Sequence, residues 1–278
     1  MAVLRATLID VGWGDSILLE SQDSERKSHY ALIDSNDTPT LRSSYIFLKR
    51  YFERRQINIP ASRHVFEWVL LTHAHADHGE GLKRTIKDFG AERFWYPDSK
   101  RTPAFFVDLI RYASNPKNNR VGQCDVVDTS KLLPPFGSAS MRVLWPTPGL
   151  RPSNENDNSV VLSITLGDAC FLLTGDAEAE GVWSKIAGQI PANTRFFKVP
   201  HHGSDNGTFD LKGTTPWLSN LPPNCDTAIS SHVLPFNHPG AKVVGVLQQR
   251  GLTYRTDSHY HIMIETDGQS VTVTYSHA

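Results

Sequence analysis

The chain has 278 residues, with 28 Lys and Arg against 29 Asp and Glu and a formal net charge of −1. This length is sufficient for one large domain, and the balanced charge excludes a strongly basic nucleic-acid coat and an acidic solvating tail, although not a local basic groove. The cysteines Cys124, Cys170 and Cys225 are far apart and form no CxxC pair. A disulfide scaffold or a cysteine zinc site is therefore not expected, and the protein is expected in a reducing compartment.

The N-terminal residues lack a basic stretch followed by a long apolar run, and no segment approaches the ~18 apolar residues that span a bilayer. We therefore expect a cytoplasmic protein with no signal peptide and no membrane partner.

Apolar runs and hydrophobic periodicity predict the elements in chain order. The first half gives strands at 3–8, 16–19, 30–33, 66–71 and 94–96, and helices at 41–55, 82–89 and 102–114. The second half gives strands at 141–145, 159–166, 169–174, 196–199, 227–230, 261–265 and 270–275, and helices at 177–190 and 242–250. The polar segment 114–135 is ambiguous. With no linker between halves, this pattern predicts a single layered α/β domain over 1–278 and not a parallel barrel.

The helix predicted at 41–55 carries a cluster of basic residues, Lys49, Arg50, Arg54 and Arg55. Their spacing places them mostly opposite the apolar face. A solvated helix face is the favoured interpretation, and a phosphate-binding patch is the alternative.

Four candidate metal ligands follow the predicted strand 66–71 within six residues: His73, His75, Asp77 and His78. Alternate residues of extended backbone project to one side, so His73, His75 and Asp77 can converge, with His78 at a neighbouring position. Imidazole and carboxylate groups are the ligands of a borderline metal such as Zn²⁺. The HxHxDH pattern therefore predicts a metal site.

Two further clusters also come directly after apolar strands. Asp176 follows the strand 169–174, and His201 and His202 follow the strand 196–199. A carboxylate can bridge two cations through its two oxygens. A lone histidine pair would be structural by default, but three strand-end clusters favour a metal centre.

Six segments of the chain carry a family resemblance: 8–16 (LIDVGWGDS), 73–78 (HAHADH), 156–161 (NDNSVV), 172–178 (LLTGDAE), 198–204 (KVPHHGS) and 237–239 (NHP). In these motifs the sequence resembles the metallo-β-lactamase superfamily. More narrowly, it is similar to the metallo-β-lactamase domain of bacterial DNA-uptake competence channels and their stand-alone relatives. The resemblance implies a four-layer αββα sandwich, with metals at the open end between two sheets.

The resemblance also implies two divalent metal ions, with zinc expected and manganese as the alternative. It gives His73 and His75 to the first metal, Asp77, His78 and His201 to the second, and Asp176 to both. Many family members have a third histidine on the first metal, whereas this chain has Asn158 near that position. The first site is therefore expected to be weaker, more open, or completed by water or substrate.

Other residues are assigned supporting roles. His202 is either a packing residue or a support for the ligands, and His238 is expected to contact the substrate or its leaving group. Asp77 and His238 are the candidate catalytic residues, and Ser204 is expected near the substrate. Asp10 and Asp34 are expected to hold loops or orient the ligand imidazoles.

Two divalent cations activate water and polarise a carbonyl or phosphoryl oxygen, so the predicted reaction is metal-assisted hydrolysis. A phosphodiester is the favoured substrate, which makes the protein a phosphodiesterase or nuclease. The near-neutral charge disfavours tight duplex binding and leaves small phosphodiesters or single strands. The alternatives are a carbonyl hydrolase acting on lactones, thioesters or β-lactams, and a non-catalytic subunit that binds a protein partner. A di-iron reductase is disfavoured because such sites tend to have an acidic residue at the position of His75.

Overall fold

The computed structural model describes residues 2–38, 40–57 and 64–276, which form two β-sheets. The first sheet comprises β1 (Val3–Leu8), β2 (Ile17–Gln22), β3 (Ser28–Ile33), β4 (Phe66–Leu70), β5 (Ala91–Tyr96), β6 (Val121–Val126), β13 (Ile262–Thr266) and β14 (Val271–Tyr275). The second comprises β7 (Ser140–Trp145), β8 (Val161–Leu166), β9 (Ala169–Leu173), β10 (Thr194–Lys198), β11 (Asp226–Ile229) and β12 (Thr253–Arg255). Their spatial orders are β14-β13-β1-β2-β3-β4-β5-β6 and β12-β11-β10-β9-β8-β7.

The helices connect the strands and cover the outer faces of the sheets. They are α1 (Ser43–Arg54), α2 (Ala76–Gly79), α3 (Leu82–Phe89), α4 (Ala104–Ala113), α5 (Ser184–Ile186), α6 (Asp205–Thr208), α7 (Ala241–Gln248) and α8 (Thr256–His259). In the described parts of the chain, none of them is long and apolar enough to cross a membrane.

Alternating burial along the strands produces the layers. In β9, Phe171 and Leu173 face the core between the sheets, whereas Leu172 faces the opposite side. Side chains of α1, α3 and α4 pack on the outer face of the first sheet, and those of α5 and α7 pack on the outer face of the second. Because each sheet buries both faces, the chain forms the four-layer αββα sandwich that the sequence predicted.

The strand directions bring the functional loops to one edge of the sandwich. β3, β4, β5 and β6 run parallel to one another, as do β9, β10, β11 and β12. The carboxyl ends of parallel strands meet at the same edge of a sheet, which is where α/β proteins place ligands. The Val160 amide donates to the Thr72 carbonyl at 2.9 Å, and this bond ties the two sheets together at that edge.

Several elements differ from the prediction. The helix predicted at 177–190 consists of a wide turn at Ala179–Trp183, then α5, then a tight turn at Ala187–Gln189. Within the wide turn, Gly181 packs so closely on Asp157 that a Cβ would lie 2.1 Å from the carboxylate. The strands β6 and β12 were not predicted, because edge strands face solvent and lack a full apolar pattern. The single-domain assignment for 1–278 stays a prediction.

The basic residues in and directly after α1 differ in their partners and exposure. Arg55 pairs with the buried Glu20 at 2.8 Å, and Lys49 lies 3.9 Å from Glu53. Arg50 and Arg54 are exposed beside a cavity of about 690 Å³ between α1 and the sheet.

Candidate metal centre

The HxHxDH pattern follows β4, and its two halves have different backbone conformations. His73 lies in the loop, and His75 is extended with φ −103° and ψ 150° directly before α2. The first turn of α2 then carries Asp77 and His78. Helical backbone, rather than strand alternation, therefore positions Asp77 and His78, which corrects the extended arrangement expected from the sequence.

One group of side chains forms where the two sheets meet. Donor atoms of Asp77, His78, Asp176 and His202 all lie within 4.8 Å of one another. The Asp176 Oδ2 atom is 3.2 Å from His78 Nε2 and 3.3 Å from His202 Nε2. The His202 Nε2 atom is also 3.5 Å from Asp77 Oδ2. This spacing is compatible with one cation held by two imidazoles and two carboxylates.

A second pair of imidazoles lies on the other side of Asp176. The His73 Nε2 and His75 Nδ1 atoms are 3.0 Å apart, and His73 Nε2 is 4.0 Å from Asp176 Oδ2. His201 Nε2 lies 3.9 Å from the same oxygen. Asp176 is thus central to both groups. We call the full set the Asp176 cluster: His73, His75, Asp77, His78, Asp176, His201 and His202.

The structure brings His202, rather than His201, into the close group with Asp77 and His78. The ligand role expected for His201 stays a prediction. The His202 ring is fully buried, and its Nδ1 donates to the Ser230 carbonyl at 3.0 Å, which directs Nε2 towards Asp176. His201 instead lies 3.5 Å from Glu178 through Nδ1. Both residues have positive φ, 49° and 52°, a backbone conformation that side chains adopt when the surroundings require it.

Several buried nitrogen and oxygen atoms of the cluster that could bind a metal have no hydrogen-bond partner among the described residues. These atoms include His78 Nε2, His202 Nε2 and Asp176 Oδ1. Buried polar atoms without a partner are rare in folded proteins, so each requires an explanation. Their convergence, and a donor set of imidazoles and carboxylates, fit a divalent cation such as Zn²⁺ or Mn²⁺.

Comparison with known proteins gives one sequence relative of note. No protein-family profile matches the chain. It is 24% identical over 268 residues to ComE operon protein 3 of Bacillus subtilis (strain 168), which covers 91% of this chain and 32% of the relative. The chain therefore spans about a third of the length of that protein.

Solved structures overlap the chain only in part. The long form of RNase Z from yeast gives a TM-score of 0.49 at 10% identity, covering 83% of this chain and 37% of that chain. The metallo-β-lactamase SMB-1 bound to 2-mercaptoethanesulfonate gives a TM-score of 0.41 at 14% identity, covering 74% of this chain and 82% of that chain. The topology of the chain itself is an αββα sandwich, in which two sheets covered by helices hold a His/Asp cluster at their shared edge.

The Asp34 carboxylate holds the His78 ring by a hydrogen bond. The Asp34 carboxylate accepts hydrogen bonds from the Thr72 amide at 2.8 Å, the Thr72 hydroxyl at 2.7 Å and His78 Nδ1 at 2.7 Å. The last bond leaves His78 Nε2 facing Asp176. Burial opposes a charge on His78, but Asp176 and Asp34 hold its pKa well above the ordinary value. The excess of carboxylates therefore favours positive charge at this place.

A buried ion pair lies next to the cluster. Lys198 Nζ lies 2.5 Å from Asp15 Oδ2, and both side chains are buried. Burial opposes the charge of Lys198, but Asp15 keeps its pKa raised. Lys198 Nζ also lies 3.9 Å from Asp176 Oδ1, so the ion pair adjoins the cluster.

The Asn158 side-chain NH2 group donates to Glu155 Oε1 at 3.3 Å and to the Asp98 carbonyl at 3.1 Å, and its buried Oδ1 has no hydrogen-bond partner among the described residues. Glu155 in turn accepts from the amide of Ala74, inside the HxHxDH loop, at 3.0 Å. Asn158 thus stabilises that loop indirectly. The amide nearest the cluster belongs to Asn156, whose Nδ2 lies 3.4 Å from His201 Nε2.

The remaining predicted residues lie around the cluster. Ser204 accepts a hydrogen bond from the Gly207 amide at 3.0 Å and caps α6, and its contact with substrate stays a prediction. Asp10 accepts a hydrogen bond from the Gly12 amide at 3.0 Å within its loop. His238 is partly exposed at the opening, with its ring centroid 6.0 Å from that of His201.

Proposed function

We propose that the chain is a metal-dependent hydrolase and that it cleaves phosphodiesters. The observation that supports this proposal is the Asp176 cluster, with its unpartnered buried donor atoms. Bound divalent cations would activate water and polarise the phosphoryl oxygen. A carbonyl hydrolase is the second candidate, because the same chemistry acts on a carbonyl group.

The side chains divide into two holding groups. His73 and His75 would hold one cation, and Asp77, His78 and His202 would hold the other, with Asp176 between them. His201 lies at the edge of both groups, 3.9 Å from the Asp176 carboxylate. Asp34 fixes the ring plane of His78, so the cluster is formed before any ligand binds.

We assign substrate contact to the solvent-facing side of the cluster, where His238 lies near His201. His238 is partly exposed there, and we propose that it binds the substrate or its leaving group. An anionic phosphoryl group suits this site, because the chain as a whole is nearly neutral and bound cations would supply the attraction. The substrate is therefore expected to be a small phosphodiester or a single strand.

The test combines metal analysis with a parallel assay. Purified protein is expected to carry about two Zn²⁺ or Mn²⁺ per chain. It is then assayed, with metal added back, on bis(p-nitrophenyl) phosphate, a single-stranded oligonucleotide and a lactone. Asp77→Ala and His202→Ala are expected to abolish turnover and lower the metal content. His64→Ala is the matched control, since His64 precedes the start of β4, whose other end leads to the cluster, and is bonded to the Asn119 carbonyl.

Hydrolysis of the lactone alone would replace the phosphodiester proposal with the carbonyl one. Binding of metal without turnover of any substrate would contradict both and favour a non-catalytic subunit. Full activity in His202→Ala would contradict the assignment of this histidine.

A further inference from the structure

Aromatic rings line the opening of the Asp176 cluster and continue outward from it. The Trp13 ring centroid lies 4.5 Å from that of His202, inside the cluster. On its other side, Trp13 lies 4.8 Å from Phe236 and 5.4 Å from His238. We call Trp13, Phe236 and His238 the aromatic platform. It connects a candidate metal ligand to solvent through ring contacts alone.

The outer part of the platform is exposed to an extent that packing does not explain. The Phe236 side chain is 62% exposed, and Leu234 on the same loop is 68% exposed. Large apolar side chains that cluster at the surface commonly mark a binding site. Here the exposed ring adjoins the cluster, so a ligand bound to the cluster can reach it.

The loop that carries Phe236 is held in shape by its own hydrogen bonds. The Asn237 amide donates to the Val233 carbonyl at 2.5 Å, and the Leu234 amide donates to His232 Nδ1 at 3.2 Å. His232 therefore organises this loop. The Phe236 ring is consequently presented outward on a defined turn, which lowers the entropy lost when a flat ligand stacks on it.

We propose that the aromatic platform stacks an unpaired nucleobase of a single-stranded nucleic acid beside the metal centre. Every base has a flat π face, and base–aromatic stacking contributes about 1–3 kcal/mol per base without reading sequence. A cavity of about 560 Å³ is lined by Phe236 and His238, and by the exposed side chains of Lys242 and Asp205. An ammonium group there suits the backbone phosphate of the same strand.

This inference rests on the proposed phosphodiesterase function and specifies its substrate class. A quaternary ammonium ligand is a less suitable occupant, because it requires an enclosing aromatic cage. Phe236 instead leaves most of its surface open to solvent.

The test compares two single-stranded DNA oligonucleotides of equal length, one with all bases and one with abasic sites. Binding to the metal-loaded protein is measured by fluorescence anisotropy, and cleavage of both strands is measured separately. The base-bearing strand is expected to bind about tenfold more tightly. Phe236→Ala is expected to abolish this preference, and Phe236→Trp is expected to retain it.

Leu234→Ala is the matched control, because it removes an exposed apolar side chain from the same loop without removing a ring. Equal binding of the two strands by the wild type would overturn the inference, as would equal effects of Phe236→Ala and Leu234→Ala. Displacement of the base-bearing strand by phosphocholine, but not by mononucleotides, would also overturn it. Cleavage of the abasic strand tests the phosphodiesterase function independently, since that strand has no base at the scissile site.

Discussion

Gly14 and Gly12 provide a matched test of how the Asp176 cluster is positioned. Both glycines have positive φ, 103° and 72°. A Cβ at Gly14 would lie 2.2 Å from the Asp77 carbonyl oxygen, whereas a Cβ at Gly12 would meet no described atom within 4 Å. We therefore expect Gly14→Ala to disable the cluster and Gly12→Ala to leave it functional.

The magnitudes follow from two separate effects. Both alanine variants lose about 1–2 kcal/mol of stability, because residues with a Cβ resist the left-handed region. Only Gly14→Ala also has to open the contact from 2.2 Å to the ordinary range, which begins at 3.4 Å. The Asp77 backbone is part of the ligand loop, and a displacement of about 1 Å in a catalytic group lowers the rate about 100-fold.

The assay measures thermal unfolding, zinc affinity and kcat/KM for both variants. We expect the larger loss of stability in Gly14→Ala, and a large loss of zinc affinity and activity only in that variant. Equal activity in the two variants would refute the reasoning, since it would show that Asp77 tolerates displacement. Complete unfolding of Gly14→Ala would be seen in the melting curve, and zinc affinity and activity are then measured at a temperature at which the variant is folded.

Two further predictions concern carboxylates outside the ligand set. Asp34→Ala is expected to lower zinc affinity about 10- to 100-fold in a chelator competition, because His78 loses the hydrogen bond that orients its ring. Unchanged affinity would show that packing alone holds the His78 ring. Burial would raise the pKa of Glu20, but the hydrogen bond from Tyr51 and the guanidinium of Arg55 lower it below the ordinary value. The stability from this ionised group is present above the ordinary pKa and is lost as the pH falls through the lowered one. Glu20→Gln is therefore expected to lower the free energy of urea unfolding by about 2 kcal/mol at neutral pH, and a gap that does not shrink in acid would contradict this cause.

The predictable part of the site is the part that apolar strands deliver directly. His73, His75 and Asp176 each follow a buried run, and the sequence alone identified them as cluster residues. Which of His201 and His202 lies with Asp77 and His78 could not be predicted, because adjacent imidazoles have the same chemistry and distant contacts set their directions. One such contact joins His202 to the Ser230 carbonyl, 28 residues along the chain.

Residues whose roles depend on distant partners were also missed. Asn158 was noted only as standing near the position of a family histidine, and the bonds of its NH2 group to Glu155 and Asp98 were not predicted. The partner of Lys198, Asp15, lies 183 positions earlier in the chain. Such pairings follow from topology and leave no local pattern in the sequence.

The Asp176 cluster draws its members from both sheets, and this has a consequence for the stability of the sandwich. Asp77 and His78 follow β4 of the first sheet, whereas Asp176 and His202 follow β9 and β10 of the second. A cation that all four hold would fasten the two sheets to each other, and it would bind the folded state but not a state in which the sheets have separated. Free metal at 100 times its dissociation constant would then add about 2.7 kcal/mol to the free energy of unfolding. Metal supply would act on the lifetime of the fold as well as on its chemistry.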